Sequence, residues 1–399
     1  MERALKRLGK LFVVVFLGLV HIVHGSPGQS KHYLLIEDME IQIETTQALN
    51  DMYNFKFRKA YRQFVWLKQE FPEHPLPYLL MGMNEWWQIM PNFKNKSHDK
   101  RFMAYMDTTI QKAEKLYETD SSKVEAAFFL SAAYGFKARL FSERGRWFKA
   151  ATTTNKSLEY LEDCRGKDEL SPELMFGDGI YNYFSNWIPD HYPALKPFMI
   201  LFDRGDKYLG LKQLREVAHN AFYTRTEAQY WLMRILYTEE NDIQGALHES
   251  EYLHNTYPDN AYFHRYYARL LYSTGRLVKA RLVAENLLAK VDSGYVGYEA
   301  TSGRYACFYL GQIAERNLDN QKAMFYYSRA VDFSERAGET KAGYYLYSLL
   351  GLAKIEMESG NTKAAKTYLK KVRKNSGRND PANKRAKEMI IALKKKDGN

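Results

Sequence analysis

The chain is 399 residues long and rich in aromatics, with 31 Tyr, 22 Phe and 6 Trp, which excludes a disordered or low-complexity protein. Its net charge of +11 sits at the ends: residues 1–25 hold +3 and residues 370–399 hold +8, so the body between is neutral. The basic balance therefore does not describe a nucleic-acid-binding face. Two distant cysteines, Cys164 and Cys307, read as buried free thiols rather than a disulfide pair.

In chain order, residues 1–25 read as a signal peptide. Arg3, Lys6, Arg7 and Lys10 form a basic start and Leu11 to Val20 an apolar run shorter than a bilayer span. Val23 and Gly25 suit cleavage before Ser26, with an uncleaved N-terminal anchor as the rival reading. The expected location is exported, in a periplasm or at an outer membrane.

Residues 26–175 read as degenerate helical hairpins. One covers 41–74, with Ala48, Ala60, Phe64, Leu67 and Pro72 at its packing positions. A helix from Tyr78 pairs with the amphipathic stretch Phe102–Tyr117, and Val124–Leu140 pairs with Trp147–Leu161 across a turn at Gly145. Residues 176–226 differ: an aromatic segment interrupted by Pro189, Pro193 and Pro197, then a helix resuming at Lys207–Ala218.

A repeat then appears in residues 227–379. Ala246, Leu253 and Pro258 mark one copy, and Ala280 and Leu287 fall 34 residues after the first two. Residues 261–294 carry Ala268, Leu271, Gly275 and Ala284; residues 304–337 carry Leu310, Gly311, Ala323 and Tyr327; residues 346–379 carry Leu352, Ala353, Gly360 and Ala365. The last two joints hold insertions of nine and eight residues. Small residues at such a spacing let two helices cross closely while the large apolar residue fills the adjoining groove. Residues 380–399 close the chain. Asp380-Pro381 starts a helix whose one face is Ala386, Met389, Ile390 and Leu393 and whose other face is Lys and Arg, a solvating cap.

This pattern resembles the tetratricopeptide (TPR) repeat. The resemblance implies an all-α fold, a right-handed superhelical solenoid of helical hairpins with a non-TPR aromatic and proline insert. Within the insert, Gly177, Gly179, Tyr181, Asn182, Pro189, Gly205-Asp206-Lys207, Gly210-Leu211 and Leu214 resemble tetratricopeptide-domain-39 and inclusion-body-clearance-like proteins. Lys207 stands where that pattern has arginine, and a Gly-Phe before Gly-Asp is absent. That family implies an adaptor on a membrane or lipid surface rather than a catalyst.

No enzyme motif stands out, and neither a cofactor nor a metal is expected. Gly177-Asp178-Gly179 lacks the remaining glycine and lysine of a phosphate loop and reads as a tight turn before an aromatic helix. Asp190-His191 and Asp203 read as loop residues capping their own backbone. Mapping the TPR phase onto the concave side selects Trp231, Tyr262, Arg265, Tyr266, Arg269, Tyr305, Tyr309, Tyr347 and Lys354 as candidate partner-binding residues. Aromatics interleaved with arginine are the usual material of interface hot spots. The expected function is an exported, non-enzymatic scaffold holding a protein or peptide of acidic character in its groove. Its basic C-terminal helix would make peripheral membrane contact. The alternative is a glycan or small-ligand binding, or hydrolytic, unit centred on 176–206, using Trp187, Tyr181 and Tyr183.

Overall fold

A computed structural model describes residues 34–119, 122–191 and 203–397. The expected signal segment, Pro193 and Pro197 lie outside these. All regular structure among the described residues is helical, and the chain divides between Asn241 and Asp242 into two compact units.

Unit 1 contains α1 (Met39–Tyr53), α2 (Phe57–Glu70), α3 (Leu76–Ile89), α4 (Asp99–Tyr117), α5 (Lys123–Glu143), α6 (Trp147–Cys164), α7 (Met175–His191), α8 (Lys207–Asn220) and α9 (Arg225–Thr238). Helices α1 to α6 pack in sequence order as hairpins, and α7 pairs with α8. Unit 2 contains α10 (Ile243–Thr256), α11 (Ala261–Ser273), α12 (Leu277–Asp292), α13 (Ala300–Arg316), α14 (Asn320–Arg336), α15 (Gly343–Glu358), α16 (Thr362–Asn375) and α17 (Pro381–Asp397). Each packs on the next, while α11, α13, α15 and α17 also touch in succession. The first helices of the hairpins thus form one continuous row, the arrangement that defines a TPR-like all-α array. The sequence repeat assigned to 227–260 straddles the division, because its first helix, α9, belongs to unit 1.

The repeat has a backbone signature that residue type partly conceals. Gly275, Leu318 and Gly360 all take positive φ, at 74°, 58° and 79°, at the turn between the two helices of a hairpin. In each, the next residue's N–H reaches five residues back to the first helix, as in Arg276 to Leu271, Asp319 to Ala314 and Asn361 to Glu356. Asp319 and Asn361 then cap the second helix, accepting from the N–H of Lys322 and Ala364. The extra residues of the two longer repeats go into the loop before α13 and into longer helices, as their bounds show.

Packing in unit 2 follows the small residues. The Tyr327 ring is fully buried and lies against Gly311 of α13 and Gly351 of α15, where a β-carbon would overlap it. Its hydroxyl donates to Glu315 at 2.6 Å and accepts from Gln312 Nε2 at 2.6 Å. Burying such a ring contributes about 2–3 kcal/mol. The terminal helix α17 seats Ala386 and Leu393 in the last core cluster with Met389 and Ile390 beside them, as the capping reading expects.

The insert is a second close-packed hairpin. Helix α7 begins at Met175, so Gly177 and Gly179 are helical rather than a turn, and it continues through Pro189 to His191 rather than breaking there. A β-carbon on Gly210 of α8 would stand 2.5 Å from the Tyr183 nitrogen, so the two backbones meet at that point. Around the crossing, Asn182 Nδ2 donates to Gln213, the Ser185 hydroxyl accepts from Gly205 N, and Asp206 caps α8. The glycine and polar positions that carry the local resemblance are therefore the parts of a helix crossing.

Candidate functional site

The site is built on the row of first helices in unit 2. Helix α11 supplies Tyr262, Arg265, Tyr266, Arg269 and Tyr272; α13 supplies Arg304, Tyr305, Phe308, Tyr309 and Arg316; α15 supplies Tyr344 and Tyr347. Asn260 starts α11 by accepting from the N–H groups of Tyr262 and Phe263, which fixes the phase of everything after it.

The side chains interlock along this row. Tyr262 and Tyr266 stack at 4.9 Å, and the Arg265 guanidinium lies 4.6 Å from the Tyr262 centroid and 5.8 Å from that of Tyr305. Tyr272 stacks on Tyr309 at 4.9 Å, and Arg316 lies 5.5 Å over Tyr272. Tyr344 ties α13 to α15: its ring is 4.5 Å from Tyr305 and 5.0 Å from Phe308, and its hydroxyl is 2.8 Å from that of Tyr309. Burial pulls the Arg269 pKa down, but the surrounding Tyr344, Tyr305, Tyr309 and Tyr266 outweigh it, and the net shift is upward. Arg269 is a permanent cation in an aromatic frame. Burial first, then the neighbouring Tyr344, pushes the Tyr309 phenol well above its ordinary value, so it stays neutral.

The sequence-selected residues sit at three depths. Tyr262, Arg265 and Tyr309 are buried and support the row from below. Tyr266, Arg269 and Tyr305 are half-buried, and Tyr347 and Lys354 are exposed. Lys354 is ion-paired with Glu315 at 2.8 Å. Trp231 is not part of this face: it lies in α9 of unit 1, 5 % exposed, against Phe184, Tyr230 and the Arg139 guanidinium. Its correct periodicity placed it on a first helix, but that helix packs within the other unit. Tyr344 was missed because the phase read for its repeat starts at 346, while α15 starts three residues earlier; the Tyr344-Tyr345 pair was the available signal.

The residues of the alternative site are spent in packing. Tyr181, Tyr183 and Trp187 are all buried. Tyr181 donates to the Asp203 carbonyl and Tyr183 to Glu240, while Asp178 accepts from Arg165 and Gln213. Among the described residues no group of three His, Cys, Asp or Glu side chains is placed to hold a metal ion, and no helix is long and apolar enough to cross a membrane. Cys164 and Cys307 are free and buried, one in each unit, and burial pushes both thiols up to about 12.

Unit 1 has a buried polar centre that sequence periodicity did not reveal. Glu227 of α9 accepts from Trp87 Nε1 at 2.9 Å and from the Tyr53 hydroxyl at 3.5 Å, joining α9 to α3 and α1. Arg139 of α5 donates to the Tyr230 hydroxyl at 2.6 Å and lies over Trp86, Trp231 and Tyr230 at 4.7–5.3 Å. Burial pushes the Glu227 carboxyl up, against the attraction of Arg139.

No family model matches the chain, and no curated protein matches it. Among solved structures, the crystal structure of the P58(IPK) TPR domain is similar, at 13 % identity over 90 % of this chain and 99 % of that one, with a TM-score of 0.26.

Proposed function

We propose that the protein is a non-catalytic scaffold that seats an acidic segment of a partner protein on the tyrosine–arginine face of unit 2. The observation that carries this reading is the charge of the row. Arg269 and Arg316 lie among phenols, while Arg304 pairs with Glu339 at 3.7 Å and Glu315 is engaged by Lys354 and Tyr327. Cations held over aromatic faces offer directed donors with little loss of side-chain freedom, which favours a carboxylate-bearing chain with apolar side chains between its charges. The basic start and apolar run of residues 1–25 support export to a cell envelope, and the Lys and Arg face of α17 supports contact with an anionic surface there.

The test is photo-crosslinking in the native cell from a crosslinker placed at Tyr347, in the parent and in an Arg269→Ala/Arg316→Glu variant. A single acidic partner captured by the parent and lost in the variant supports the reading. Equal capture by both, or none by either, overturns the assignment of the face.

A further inference from the structure

Unit 1 holds a partly open cavity of about 140 Å³ between α3, α5, α6, α7 and α9. Its wall is mostly aliphatic and aromatic, including Leu80, Met83, Leu158, Leu161 and Ile180, and its rim carries half-buried Gly135 and Phe176. Unfilled apolar space of this size forfeits packing contacts and so costs stability. It is close in volume to an engineered apolar cavity that admits benzene in another protein.

Two ionisable side chains line it, Arg139 and Glu227. Arg139 is 5 % exposed, and its Nε–H finds no acceptor among the described residues. Its other contacts are the Tyr230 hydroxyl, the Met90 sulfur and three aromatic faces, and no carboxylate pairs with it among the described residues. Glu227 also lines the cavity and attracts Arg139, while the donors on its carboxyl are Trp87 and Tyr53. A buried N–H without an acceptor is costly, and an incoming anion would relieve that cost.

We infer that this cavity is a binding site for a small amphipathic anion, a carboxylate on an apolar body of about six to eight carbons. The carboxylate takes the open Arg139 donor and the hydrocarbon fills the space beside Leu80 and Leu158. This site belongs to unit 1, whereas the scaffold face belongs to unit 2.

The experiment is calorimetric titration of the full chain with octanoate and, separately, with 1-octanol, which has the same tail and no charge. The reading expects one octanoate per chain, binding about tenfold or more tighter than octanol. Gly135→Leu fills the rim: a β-carbon there meets only the Ser157 hydroxyl, at 3.4 Å, and the helical position gains from losing glycine. That variant should lose octanoate binding while keeping its thermal transition. Arg139→Met should bring octanoate down to the octanol level. The site is overturned if octanoate does not bind at millimolar concentration, or if Gly135→Leu binds it unchanged. Equal affinity for octanol overturns the role of Arg139.

Discussion

The ring of Tyr327 fills the space that a β-carbon on Gly351 would need, although the two residues belong to different repeats. One methyl group there must displace a fully buried ring whose hydroxyl is bonded to Glu315 and Gln312. Gly351→Ala should therefore destabilise unit 2 by about 2 kcal/mol, despite the better helix propensity of alanine. All six tryptophans precede residue 242. Urea denaturation followed by far-UV circular dichroism should show the loss, while tryptophan emission, which reports unit 1, should keep its midpoint.

Leu318 holds the left-handed turn that Gly275 and Gly360 hold in the neighbouring repeats, at φ 58° and with its side chain almost wholly in solvent. A side chain in this conformation costs about 1–2 kcal/mol. Leu318→Gly should stabilise unit 2 by about 1 kcal/mol, after the added freedom of the unfolded chain is subtracted. A rise in the circular dichroism midpoint checks it.

His254 and His264 lie 4.5 Å apart in unit 2. His264 Nε2 donates to the Val283 carbonyl, and Nδ1 lies 3.1 Å from the Tyr298 hydroxyl, which also reaches the Pro258 carbonyl. Burial, with Lys290 and Lys279 nearby, lowers His254 to about 4; burial and His254 lower His264 well below its ordinary value. Both rings take up protons more readily in the unfolded chain. Their contribution is thus complete above about pH 6.5 and is lost as the pH falls toward 4, by at most about 1.4 kcal/mol per pH unit for each. His254→Phe, which keeps the stack on Tyr267, should flatten the stability profile between pH 6.5 and 4.

Glu173 is buried in unit 1 and accepts from the backbone N–H groups of Phe222, Tyr223 and Thr224 and from the Thr224 hydroxyl. It places a carboxyl group at the start of α9, where the helix dipole favours it. All four partners donate, so the amide nitrogen of Glu173→Gln would face donors. A loss of about 3 kcal/mol is expected from the tryptophan-monitored transition.

Binding of an acidic partner to the tyrosine–arginine face should weaken as salt rises, because the charges that attract it are partly exposed. Titration of the captured partner at two ionic strengths should show a slower association at the higher one. Tyr347→Ala should instead raise the dissociation rate.

The repeats were legible because their slots are set by size. Ala268, Ala280, Ala323 and Ala353 are all fully buried at the small-residue slots of their repeats. The face of the helix was legible too, since Tyr262, Arg265, Tyr266 and Arg269 share one row. Depth was not. Periodicity gives the side of a helix, whereas the burial of Tyr262 and the exposure of Tyr347 depend on what the neighbouring helices place beside them. The polar centre of unit 1 escaped for another reason: the bond from Tyr53 to Glu227 spans 174 residues. A buried glutamate at the start of α9 and an arginine within α5 look like ordinary surface charges until the partners that surround them are known.

The pocket that holds Tyr327 is formed half by Gly311 of its own repeat and half by Gly351 of the next. A chain assembled this way is not a string of interchangeable blocks. Excising or duplicating one repeat would leave either an unfilled hole or a ring with nowhere to go, unless the matching glycine moved with it. The length of this array is thereby easiest to alter at a joint where no side chain is shared between repeats.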